Sequence, residues 1–286
     1  MADTMLSFAN SNLANTFLSK DELRAKCAMA FKTIPTNPAV SDRYVQANTE
    51  TVIDDLAKLG WYPVDAKQCR QKRNSSGIRS FHMVAFQNPN VSIVKNDGSE
   101  EVECYPRIIL TNSHDGFNSF KFMVGLFRLV CSNGLVIATD KMVDMSIRHI
   151  NYTFEELRKQ VAIAIEQVEI QAGVMSEMNK VQLNDAQKRA LAETAIRIRK
   201  GIPADEKYQI ADASIEEILS PKRKEDSGSS LWNVFNVIQE NMMKGGYTIT
   251  NPNGKVRKQR PITSIVKSLD INKELFRSAA QYLEAA

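Results

Sequence analysis

Two apolar runs, Ile108–Leu110 and Phe120–Val130, each stop at a polar knot, and this constrains the fold more than any other feature of the chain. The first knot is Asn112-Ser113-His114-Asp115-Gly116 and the second is Cys131-Ser132-Asn133-Gly134. Strand-type runs closed by Asp-Gly and Asn-Gly are the strongest short-range hairpin signal a sequence carries. A β-sheet core is therefore expected, with one of the chain's three histidines at the first turn.

The flanking segments extend this reading. Ser19 with Glu22 has the spacing of a capping box, which predicts a helix from Lys20 to Phe31. Val52, Ile53, Leu56 and Leu59 share one face of a second helix, Glu50–Leu59, with Gly60 as its stop. Strands are expected over 61–71, 80–87, 101–111, 117–130 and 135–139. Turns this short favour antiparallel pairing, because parallel strands need crossovers of a dozen residues or more.

At Thr153 the period changes. Thr153 with Glu156 predicts a helix running to about Val181, and Asn184 with Gln187 caps another that ends at Gly201-Ile202-Pro203. Residues 203–229 read as mixed, with Pro221-Lys-Arg-Lys and Ser227-Gly-Ser-Ser forming a mobile linker. An amphipathic helix is expected over 230–244, a short strand over 247–250, a basic loop over 255–260 and a last helix over 272–283. Strands early and helices late mean α+β rather than alternating α/β. The expected organisation is an α+β core with an antiparallel sheet over 1–152, and a mostly helical region over 153–286 docked on it.

Composition excludes several classes. The chain of 286 residues is 43% hydrophobic and 24% charged, an ordinary globular balance. No apolar run approaches the roughly 20 residues a membrane span needs, so no membrane partner is expected. The first residues, MADTMLSFANSNLANTF, lack the basic-then-apolar pattern of a secretory leader. Four scattered cysteines show neither zinc spacing nor disulfide density. No glycine-rich phosphate loop occurs, and no cofactor is expected.

Two acid-free basic runs are the leading candidates for chemistry. Lys67, Arg70, Lys72, Arg73 and Arg79 fall on an expected hairpin, with Trp61, Tyr62 and Phe81 at its edges. Lys255, Arg257, Lys258 and Arg260 form the second run. Cations without fixed partners can neutralise phosphates, and nearby aromatics give single-stranded bases something to stack on. Arg128 and Arg148 could join from the sheet. A merely solvated hairpin and loop is the plainer reading of each run. The residues Asn112, His114, Asp115, Gly116, Asn133 and Gly134 are candidate turn residues, locked by side-chain to backbone hydrogen bonds. His114 and Asp115, with His82 or His149, could instead ligate a metal. Cys131 reads as a buried strand-end thiol.

These residues also carry a resemblance. Val40-Ser-Asp-Arg-Tyr44, Thr51–Gly60 with Trp61-Tyr-Pro-Val64, and Phe81-His82 contribute to it. So, most specifically, do Leu110-Thr-Asn-Ser-His-Asp-Gly116 and Gly125-Leu-Phe-Arg-Leu-Val-Cys-Ser-Asn-Gly-Leu135. In these the chain resembles the phage/plasmid-like proteins with domain of unknown function 932. The resemblance implies mobile-element DNA metabolism in the cytoplasm of a bacterial host cell. The element order is also similar to that of phage single-strand annealing proteins, which leaves room for a homo-oligomer.

Three readings follow. The favoured one is a non-enzymatic nucleic-acid-binding protein, for single-stranded DNA, of phage or plasmid recombination or replication. The second is a metal-dependent nuclease using His114, Asp115 and His82. The third is an interaction module whose partner is a host or phage protein, such as a defence or replication enzyme.

Overall fold

The computed structural model describes residues 6–7, 17–33, 47–69, 79–94, 101–116, 118, 120–128, 145–147, 153–203, 205–250 and 256–284. The chain is α+β and divides into two compact units. Met1–Val130 with Lys141–Ile170 forms the first, and Cys131–Asp140 with Gln171–Ala286 the second.

The first unit is an antiparallel sheet with helices. Helix α1 (Lys20–Lys26) starts at the expected capping box: Ser19 Oγ accepts from the Glu22 amide and Glu22 accepts from the Ser19 amide. It ends five residues early and passes into a 3-10 turn, Ala28–Phe31. Helix α2 (Thr49–Lys58) is capped by Asn48 and buries Val52, Ile53 and Leu56. The strands are β1 (Leu6–Ser7), β2 (Tyr62–Gln68), β3 (His82–Gln87), β4 (Ser92–Val94), β5 (Val102–Asn112), β6 (Phe120–Arg128) and β7 (Met145–Ile147). The expected strand over 135–139 lies outside the described residues.

Strand β5 is the spine. Along one edge it pairs with β4 through its first residues and with β3 through its last. Along the other it pairs with β6 from Cys104 to Thr111. Pro106 falls at the junction between β4 and β3, so its missing N–H removes no ladder bond on that edge. All six residues of β3 are buried, which means both of its faces are covered. Phe86, Ile93, Ile108, Leu110, Phe120 and Phe122 fill the core, and the last two rings meet edge to face at 5.0 Å.

The second unit is helical. Helix α3 (Phe154–Lys180) contributes its last turns, with Met175 and Met178 buried. Helix α4 (Asp185–Lys200) opens on the Asn184–Gln187 capping box and closes on Gly201 in the left-handed conformation. Within the mixed segment 203–229 lies α5 (Asp212–Leu219), which buries Ile215 and Ile218. Ile215, Ile218 and Leu219 stand at helical spacing, but over a helix of only eight residues. Helix α6 (Leu231–Lys244) is followed by the hairpin of β8 (Thr248–Thr250) and β9 (Val256–Lys258). The basic run expected as a loop is therefore largely a strand. Helix α7 (Ile265–Glu284) starts well before the expected Asn272, because Ser264 accepts from the Lys267 amide and caps it there. Among the described residues no helix is long and apolar enough to cross a membrane.

Helix α6 is the axis of this unit, buried at every position except Asn233 and Lys244. Its aromatic residues pack in series, Trp232 on Phe235 and Phe235 on Phe276 of α7. Its buried polar residues are all bonded. Gln239 donates to Asn272, and Asn241 donates to the carbonyls of Ile218 and Ser220. Glu240, 2% exposed, accepts from Arg223 and Lys244, each at 2.6 Å. Burial alone would raise the Glu240 carboxyl, but the Lys244 hydrogen bond and the Arg223 charge outweigh it and hold its pKa below the ordinary 4.5.

Glu240→Gln removes the charge and keeps the shape. At neutral pH the variant is expected to lose about 2 kcal/mol in urea melts. A depressed carboxylate contributes above its unfolded pKa and loses that contribution as pH falls through the lower folded value. The gap between wild type and variant should therefore close in acid, and a gap that stays constant would reject this account.

Candidate nucleic-acid interface

The turn after β5 is held by a relay of buried hydrogen bonds. The β3–β5 register ends with His82 opposite Asn112. Asn112 Nδ2 donates to the Ala47 carbonyl at 3.0 Å and to Thr49 Oγ1 at 2.9 Å. His82 Nδ1 lies 2.6 Å from the Ser80 carbonyl, which can only accept. The proton is thus on Nδ1, and Nε2 takes the Thr49 hydroxyl proton at 2.9 Å. Ser80 Oγ accepts from the His114 amide, and the Ser80 amide donates to Asp115 Oδ2. Ser113 exchanges bonds with the backbone of Asn118, and Gly116 turns the chain at φ +77°. Ser80, His82, Asn112, His114 and Asp115 are all buried.

This arrangement locks a turn. The lone pair of His82 Nε2 is already engaged by Thr49, and burial pushes the His82 pKa down to about 3, so the ring is neutral. The rings of His82 and His114 lie 4.9 Å apart. Among the described residues no group of three or more His, Cys, Asp or Glu side chains could hold a metal ion.

The second unit carries a different surface. A groove of about 730 Å³ is lined by Arg199, Lys200, Arg257, Lys258, Gln259, Arg260 and Lys267. Six of these seven residues are cationic and none is acidic. Among the described residues none of the six makes an ion pair. Burial first, then repulsion from Arg199, Arg257 and Lys267, lowers the Lys200 pKa below the ordinary lysine value. An anion in the groove would relieve that repulsion.

Local structure places these cations. Arg199 and Lys200 close α4, where the helix dipole favours positive charge. Arg199 is only 8% exposed. Its guanidinium donates to the carbonyls of Met242 and Arg260 and lies over the Tyr247 ring at 5.4 Å. It therefore ties the end of α6 to the basic strand. The Gly246 amide donates to the Gln259 carbonyl, and the Gln259 amide to the Tyr247 carbonyl. Gly245 allows this approach: at φ +68° a Cβ there would lie 2.6 Å from the Gln259 oxygen and 2.8 Å from the Arg260 carbonyl carbon.

Both the locked turn and the groove fall within residues 38–274, which match the model for the domain of unknown function DUF932. The chain belongs to the DUF932 family. It is 30% identical over 247 residues to the UPF0380 proteins YafZ and YfjQ of Escherichia coli (strain K12), covering 85% of its own length and 84% of theirs. No solved structure matches it.

In this DUF932 protein the basic runs divide between the two units. Lys67 and Arg79 are exposed in the first, Lys67 opposite Met83 on edge strand β2. Arg70, Lys72, Arg73, Arg148 and Lys255 lie outside the described residues, as do Asn133 and Gly134. Arg128 ends β6 opposite Cys104. Of the aromatics expected to offer stacking, Trp61 is 1% exposed and belongs to the core, whereas Tyr62 stays 39% exposed beside Phe17. Arg257, Lys258 and Arg260 do come together, and Arg199, Lys200 and Lys267 join them. The three additions were not singled out in the sequence. The basic last turn of α4 was visible there, but nothing local says that it meets residues 257–260.

Two outcomes check this geometry. The unfolded His82 pKa is near 6.5 and the folded one about 3. Below 6.5 the unfolded chain takes up a proton that the fold refuses, so stability falls with pH, by about 2 kcal/mol near pH 5. His82→Gln should flatten that slope in denaturant midpoints measured across this range. Gly245→Ala should cost about 3 kcal/mol in thermal melts. Gly201→Ala, with nothing within 4 Å of its Cβ, should cost about 1 kcal/mol. Equal costs would deny the close approach at Gly245.

Proposed function

We propose that this protein binds nucleic acid through the groove on its second unit. On this reading it is a non-enzymatic protein of phage or plasmid DNA recombination or replication, with single-stranded DNA as its ligand, in the cytoplasm of a bacterial host. The observation that carries the reading is the uncompensated groove: six cations, no acid and no ion pair among the described residues. Isolated surface charges in a globular protein are ordinarily interspersed with their opposites, as on the exposed faces of α3 and α4 here. A single-sign trough concentrates polyanions and speeds their arrival. The metal-nuclease reading has no comparable support, since His82 is neutral and occupied.

Lys200, Arg257, Lys258, Arg260 and Lys267 face solvent or partly face it, and each phosphate neutralised on a single strand contributes ~0.7 to the salt slope. A full set of five contacts predicts a slope near −3.5, roughly a hundredfold loss of affinity between about 50 and 200 mM salt. The triple variant R257A/K258A/R260A should bring the slope to about −1.4 while leaving the circular dichroism spectrum unchanged. Fluorescence anisotropy on a labelled oligonucleotide measures both. Absence of binding at low salt to any nucleic acid ends the proposal.

A further inference from the structure

We infer that the groove grips the phosphate chain and offers bases no surface to stack on, so that removing the bases from a strand leaves its affinity unchanged. This rests on the nucleic-acid reading of the groove and narrows its ligand to a polymeric phosphate backbone. Stacking a base needs a flat aromatic face. Among the described residues the elements that build the groove have none. Residues 185–203 and 248–270 contain no Phe, Tyr or Trp. Tyr247 is 3% exposed and lies beneath the Arg199 guanidinium. The exposed apolar side chains on these elements, Val256 and Val266, are β-branched and give a base no flat surface. Gln259, the one neutral lining residue, is not aromatic and donates from its side-chain nitrogen to the Arg257 carbonyl. What remains is a row of ammonium and guanidinium groups, complementary to phosphate oxygens.

The groove also has two kinds of cation with separate tasks. Arg199 is a positioning residue: it is 8% exposed and donates from both terminal nitrogens to the Met242 and Arg260 carbonyls, so it sets the strand rather than meeting the ligand. Arg257, Lys258 and Arg260 make no hydrogen bond through their side chains among the described residues, and are the contacting set.

The test uses the full-length protein and four probes of matched charge: an oligothymidylate, an abasic deoxyribose-phosphate chain, a DNA duplex and inorganic polyphosphate. Expected dissociation constants for the thymidylate and abasic probes agree within about threefold, while the duplex, with its denser phosphates, shows the steeper salt slope. Polyphosphate competes with all three, and R257A/K258A/R260A weakens all four together. Stacking on even one base contributes ~1–3 kcal/mol, so an abasic chain bound more than about tenfold more weakly than the thymidylate overturns the inference. So does thymidylate binding that the triple variant leaves intact, although nucleic-acid binding itself then stands. If polyphosphate binds through these residues and no nucleic acid does, the phosphate-only groove stands and the proposed function falls. Failure of every probe at low salt removes both.

Discussion

A polar group removed from water must find a partner inside the protein, and both units of this chain are organised by how that requirement is met. Leaving one buried donor or acceptor unpaired costs about 1–3 kcal/mol. In the first unit the groups concerned are the side chains of Thr49, His82 and Asn112 and the main-chain carbonyl of Ser80, and one relay joins them. Its direction is dictated at one end by the Ser80 carbonyl, which can only accept. That single fact sets the His82 tautomer, makes Nε2 an acceptor and orients the Thr49 hydroxyl. The end of β5, the start of β3 and the first turn of α2 are thereby held to one another.

The second unit meets the same requirement with charge. Glu240 in the buried helix α6 draws Arg223 and Lys244 to it, and with Asp226, which also pairs with Arg223, the four charges balance within the protein. Arg199 has no such carboxylate. It is satisfied instead by main-chain carbonyls, which quench hydrogen-bonding capacity without cancelling the formal charge. This difference separates a structural ion cluster from a groove that still attracts anions. The cations around Arg199 stand next to one another for the same reason: the backbone bonds at Gln259 and the contact at Gly245 hold the basic strand there regardless of its charge. Burial first, and then the repulsion that results, lowers the Lys200 pKa.

The residues through which the chain most specifically resembles its family, Leu110 to Gly116, are those of the buried relay and its turn. A turn that buries Asn, Ser, His and Asp side chains tolerates few substitutes, because each must reproduce both shape and bonding. Such a segment marks a fold. The groove rests on different chemistry, since lysine and arginine tips at a surface can exchange positions without loss of field, and short motifs there carry less signal. The locked turn and the surface proposed to act are thus separate features of this chain.

Much of the fold is legible in local sequence. The capping boxes at Ser19 and Asn184 mark helix starts because their hydrogen bonds span only three residues. The antiparallel sheet follows from short turns between apolar runs, and Asn112 through Gly116 announces a locked turn by composition. Local signals fail where a segment's state depends on distant partners. Helix α5 exists because Ile215 and Ile218 find a core to enter, and the basic run at 256–258 is a strand because Thr248–Thr250 lies beside it. Trp61 beside a basic run looks like a stacking platform until packing buries it. Arg199 and Lys200 at the end of one helix, and Lys267 on another, reach Arg257 only through tertiary contacts. Sequence alone determined which residues are charged and where helices and turns begin, because those depend on neighbours a few residues apart. Which charges share a groove and which find an internal carboxylate was decided by packing, because proximity across dozens of residues is a property of the folded chain.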